Sequence, residues 1–136
     1  MLPKARTDKL LATEVDDEIV VYDLIAQRAH NLNPTAAFVW RKADGSTTVE
    51  AMASALAEEL GAPATEDVVW LALEGLEEVG LLAEPLNRPE GVSRRQAMLK
   101  IAAVGAAMVP VIRSIAAPTA AMALSGDQGN GLGSLE

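Results

Sequence analysis

The 136-residue sequence has no cysteine, one histidine (His30) and four aromatic residues: Tyr22, Phe38, Trp40 and Trp70. Without cysteine there is no disulfide framework, thiol nucleophile, thiolate zinc site or iron–sulfur cluster. A single histidine rules out a multi-histidine metal site within one chain, and any Ser/His/Asp triad would have to be built on His30. Basic residues are also scarce, 11 against 19 acidic, for a formal net charge of −8. A general nucleic-acid binder needs a basic face, so that class is disfavoured. Composition points to binding or scaffolding rather than catalysis, and no metal or cofactor is expected.

What is present divides into two unlike parts. Residues 1–92 hold 7 basic and 17 acidic side chains, whereas residues 93–136 hold 4 basic and 2 acidic. All four aromatics fall in the first part. The stretch 84–91, with two prolines, a glycine and mixed charge, reads as a linker. The expected organisation is a flexible N-terminus (1–8), a globular domain (9–85), a linker (86–92), an apolar Ala-rich helical segment (93–125) and a disordered Gly-rich end (126–136).

Within the domain, residues 10–15 and 18–23 are β-prone runs flanking Asp16-Asp17, which predicts a hairpin. Ile19-Val20-Val21-Tyr22 is the stronger strand signal, because β-branched and aromatic residues suit a pleated surface. Residues 27–32 alternate in polarity and read as a third strand. Asn33 then offers a helix cap and Pro34 a first helical residue, where its missing N–H costs nothing. A second helix opens after Thr47 or Thr48 and closes at Gly61. A third opens at Thr65, with Glu66 and Asp67 in its first turn to match the helix dipole, and ends at Gly80. The fold class is α+β: a small winged-helix-like domain with a three-stranded antiparallel sheet and three helices, followed by an apolar helical tail.

The block Leu32-Asn-Pro-Thr-Ala-Ala-Phe-Val-Trp40, then Asp44-Gly45 and Thr48-Val49, resembles the PqqD family of pyrroloquinoline quinone (PQQ) biosynthesis proteins and the related RiPP recognition elements. So does Glu66-Asp67-Val68-Val69-Trp70-Leu71-Ala72-Leu73-Glu74-Gly75-Leu76 with Gly80-Leu81-Leu82. The resemblance covers roughly residues 9–85. It implies a non-catalytic peptide chaperone that captures the leader of a ribosomally made precursor peptide and presents it to a modifying enzyme, often a radical-SAM maturase. The leader would add a strand to a free sheet edge. By that resemblance the groove lies between Gln27, Arg28, Ala29, His30 and Asn31 on the third strand and Trp70, Leu73, Glu74 and Glu77 on the third helix. The acidic rim would favour basic leaders. His30 suits a surface strand position or a leader contact better than a catalytic base, since no Gly-rich nucleophile elbow accompanies it.

Two other classes stay open: a membrane-tethered adaptor and a winged-helix transcriptional regulator. Against the regulator, the third helix carries no Lys or Arg and five acidic residues, so phosphate would repel it. The tail itself admits three readings. Ser93-Arg94-Arg95-Gln96-Ala97-Met98-Leu99-Lys100 resembles a twin-arginine export signal, with Arg94 and Arg95 as its pair, ahead of the apolar run 101–124. That run is long enough to cross a bilayer, but it contains Arg113, and Pro110 would kink a helix there. A cytoplasmic protein, membrane-associated through residues 101–124, is one expectation. The tail could instead be an Ala-rich helix that packs on a partner or a second copy, or a substrate peptide fused to its own recognition domain.

Overall fold

A computed structural model describes residues 2–61, 64–86 and 109–116. Strands β1 (Leu10–Val15) and β2 (Glu18–Asp23) form an antiparallel hairpin with Val15 opposite Glu18. Asp16 turns the chain at φ 58°, the left-handed conformation that two-residue hairpins require and that Asp tolerates. Asp23 ends β2 and builds the next turn: its Oδ1 accepts the backbone N–H groups of Ile25 (2.9 Å) and Ala26 (3.0 Å). Strand β3 (Arg28–Leu32) then returns antiparallel to β2, with Val21 opposite His30 and Ile19 opposite Leu32. Alternation puts Ile19, Val21, Asp23, His30 and Leu32 on one buried face of the sheet.

Three helices cover that face. Helix α1 (Pro34–Lys42) is capped by Asn33, whose Oδ1 accepts the Ala36 N–H at 3.0 Å. Helix α2 (Val49–Leu60) is capped by Thr48 and closed by Gly61 in the left-handed region, as the residue types predict. Helix α3 (Glu66–Glu78) ends in a Schellman motif. The Leu81 N–H bonds to Leu76 O and the Gly80 N–H to Glu77 O, with Gly80 at φ 77°. Leu32, Val39, Met52, Leu56, Val68, Leu73, Leu76 and Leu81 form the centre of the core. The fold is thus α+β, with an antiparallel sheet on three helices.

Two features depart from expectation. The sheet has four strands, in the order β1-β2-β3-β4, where the sequence predicts three. The fourth strand, β4 (Ile112–Ala116), comes from the region expected to be helical and lies antiparallel to β3. The physical reason is local. Pro110 blocks a helix, Ile112 and Ile115 favour a strand, and the unpaired main-chain groups of β3 provide a template. Among the described residues no helix is long and apolar enough to cross a membrane.

The first residues also pack on the domain rather than forming a loose lead-in. Lys4 and Asp44 form an isolated antiparallel backbone bridge, and so do Ala5 and Leu82. The Arg6 guanidinium holds the buried Asp23 through two bonds, Nη1 to Oδ2 at 2.9 Å and Nη2 to Oδ1 at 3.2 Å. That pairing keeps the Asp23 carboxyl below its ordinary pKa, outweighing the opposing effect of burial. Arg94 and Arg95 lie outside the described residues.

Candidate functional site

The outer edge of β3 is where the sheet meets a strand from elsewhere in the chain. Register places Arg28 opposite Ala116, Ala29 opposite Ile115, His30 opposite Ser114, Asn31 opposite Arg113 and Leu32 opposite Ile112. One step further, the Asn33 N–H donates to Val111 O at 3.0 Å. Antiparallel alternation therefore makes Asn31:Arg113 and Ala29:Ile115 the pairs that exchange main-chain bonds. His30:Ser114 and Leu32:Ile112 are the closely spaced pairs whose side chains meet on the buried face.

Those side-chain contacts are specific. His30 is 1% exposed, and its Nδ1 lies 2.6 Å from Ser114 Oγ. Its Nε2 is buried with no hydrogen-bond partner among the described residues. Burial pushes the imidazole pKa below its ordinary value, partly offset by Asp23, while Arg28 adds to the lowering. His30 is therefore a buried, neutral contact to β4, where the sequence suggests a surface strand position or a leader contact.

Helix α3 forms the other wall. Leu71, Ala72, Gly75, Glu78 and Val79 line a cleft of about 210 Å3 together with Val109, Pro110 and Ile112. Their spacing is that of one helical stripe. Gly75 lies close against the segment: a Cβ placed there would meet Ile112 Cδ1 at 3.1 Å. A second cleft joins His30 and Ser114 to Asp23, Arg28, Glu78 and Gly80.

The residues expected to line the groove divide accordingly. Arg28, Ala29, His30 and Asn31 all pair with β4. Gln27 precedes the strand, at φ 56°, and its N–H bonds to Asp23 O within the turn. On α3, Trp70 and Leu73 belong to the hydrophobic core, and Glu74 is buried. Glu77 faces the following segment, accepting the Leu86 N–H at 2.7 Å. The cleft-facing stripe is offset from these four by about one position, a rotation that hydrophobic spacing alone does not define.

Asn33 is the residue whose part at this edge sequence reasoning missed. It joins the two halves of the site. While its Oδ1 caps α1, its Nδ2 donates to Val109 O at 2.8 Å, and its own N–H holds Val111 O. The signal lay in the residue type. Ser, Thr and Asp also cap helices, but Asn adds an amide NH2 that reaches a carbonyl beyond the helix, a donor that an ionised Asp lacks. Gly75 was legible only as a helix-weakening glycine inside α3.

The family model of coenzyme PQQ synthesis protein D (PqqD) matches residues 18–82 of this chain. The match includes β2, β3 and all three helices and stops well before β4. Comparison with curated proteins finds no match, and neither does comparison with solved structures. The β3 edge, the capped α1 and the α3 wall all lie inside residues 18–82, the part of this chain that matches the PqqD family.

Proposed function

We propose that this protein is a non-catalytic peptide chaperone that binds an extended segment of a ribosomally made precursor by strand addition at β3 and presents it to a modifying enzyme. The observation that carries this reading is the β3 edge with a strand seated on it. Main-chain bonds hold the segment, and α3 and His30 select alternate side chains. The match to the PqqD family supports a role connected with PQQ synthesis or a related peptide-modification pathway. The only histidine is buried in the strand contact, which fits recognition better than proton transfer. The partner enzyme, a radical-SAM maturase in the reading taken from the family, supplies the chemistry.

Reconstitution tests this function. The full chain is combined with the modifying enzyme and any short precursor encoded beside it, and products are followed by mass spectrometry. The reading expects a mass change, on that peptide or on this chain, that requires the protein in stoichiometric amount. Modification at an equal rate without the chain overturns it. Retardation of DNA in a gel shift would favour the winged-helix regulator instead.

A further inference from the structure

We infer that the ligand of the β3 edge is the chain's own segment 109–116, held in cis, so that the recognition site is self-loaded and closed to free peptides until β4 is released. This rests on the strand-addition reading above and names the occupant of that same site. Three observations carry it.

The first is that β4 behaves as a ligand of the matched domain rather than as part of it. The family match ends at residue 82, and β4 begins at Ile112. Strands β2 and β3 and the three helices are assembled from the matched residues alone.

The second is fit. The segment is read at three separate points: Val109 O and Val111 O by Asn33, Ile112 by the space Gly75 leaves, and Ser114 by His30. Each of the three domain residues has an unusual feature that the segment explains. Asn33 bonds a helix and a strand at once. Gly75 is a glycine mid-helix, where Ala would be better by about 1 kcal/mol. His30 is a buried imidazole whose hydrogen-bond partner among the described residues is Ser114 of β4.

The third is mass action. A ligand carried in the same chain meets its site at an effective concentration that reaches the order of 1 mM. A free peptide making identical contacts would need about that concentration to occupy half of the edges. Ordinary trans recognition at micromolar levels is therefore suppressed until something lifts β4 away. The modifying enzyme is a natural agent for this, since it must reach the peptide.

The test uses the full chain and a fluorescein-labelled, N-acetylated peptide with the sequence of residues 109–116. In the double variant Arg113→Pro, Ile115→Pro, the tethered strand loses the two N–H groups that pair with β3. Polarisation titrations should show the double variant binding the labelled peptide at least ~100-fold more tightly than wild type. Adding Gly75→Leu to the double variant should abolish that gain. Equal binding by wild type and the double variant overturns cis occupancy while leaving strand addition intact. Binding by neither, with the double variant folded by circular dichroism, overturns the strand-addition reading itself.

Hydrogen exchange on the wild-type chain keeps the inference testable if the double variant does not fold. The Ala29 and Asn31 amides, which point at β4, should be protected to the same extent over a 100-fold dilution. Unprotected amides overturn the proposal. Protection that fades on dilution also overturns it, because the strand would then come from a second copy.

Discussion

Two segments from opposite ends of the chain pack on the same domain, and they are held by different physics. Residues 4–6 are fixed by a charge-assisted pair to a buried carboxylate and by short bridges on either side. Residues 109–116 are fixed by a strand ladder and a few side-chain contacts, with Ile115 left 66% exposed. Breaking the first strands a buried group, whereas a released strand can rehydrate its main chain on leaving the edge. The N-terminal strap is thus a structural part of the fold, and β4 has the character of an exchangeable ligand.

The largest effect should follow from breaking the strap. Asp23→Ala removes the Arg6 partner and both side-chain bonds in the turn into β3, leaving the main-chain bond from Gln27. Loss of one member of a buried pair costs about 3–5 kcal/mol. Arg6 is partly exposed and can rehydrate, so the lower end, about 3 kcal/mol, is expected in urea unfolding of the whole chain. A loss below about 1 kcal/mol would show that the strap is no more structural than β4.

A smaller and more selective effect should come from Asn33→Asp. Aspartate caps a helix as well as asparagine does, and its charge suits the N-terminus of α1. It cannot donate to Val109 O, and it sets a carboxylate against that carbonyl. Loss of that bond, with the carbonyl left unpaired, is worth about 1–3 kcal/mol, or roughly 5- to 150-fold in β4 docking. In the wild-type chain exchange at Ala29 and Asn31 should accelerate, whereas in the Arg113→Pro, Ile115→Pro chain, where β4 is already released, Asn33→Asp should leave thermal melting nearly unchanged. A fall in the stability of that released chain would mean that Asn33 acts as a cap alone.

The same contrast explains what could be read in advance. β1, β2 and the helix caps were legible because each is specified locally: Asp16-Asp17 turns the hairpin, Asn33-Pro34 and Thr48 start helices, and Gly61 and Gly80 end them. The β3 edge was legible through family resemblance. β4 was not, because an Ala-rich run containing Ile112-Arg113-Ser114-Ile115 has the composition of a helix, and its strand state depends on a template distant in sequence. The rotation of α3 was hidden for a related reason. Trp70, Leu73, Leu71 and Ala72 are all buried, so hydrophobicity does not separate the core side from the cleft side. The N-terminal strap left only Arg6 as a trace, one basic residue among several.

The smallest effect expected is a response to acid, and it separates the two attachments by pH range. His30 is neutral when buried beneath β4, and its pKa is lowered by that burial. With β4 released or the chain unfolded, it returns toward its ordinary value near 6.5. The open state then binds the proton more readily, so closure is fully favoured above that pH and weakens as pH falls through it. Around the imidazole stand Asp23 from β2, Arg28 on β3, Glu78 from α3 and the uncharged Ser114 of β4. Asp23 has its own lowered pKa, so the strap's contribution is present above the ordinary carboxylate range and is lost as pH falls through Asp23's lower folded value. Acidification to about pH 5.5 should therefore speed exchange at the β4-facing amides and lower the melt by no more than the docking energy lost, well before the acid unfolding tied to Asp23. His30→Gln should remove that early phase and leave the acid unfolding tied to Asp23. If the early phase persists in His30→Gln, another group governs β4, and the difference between a titratable ligand contact and a titratable structural strap disappears.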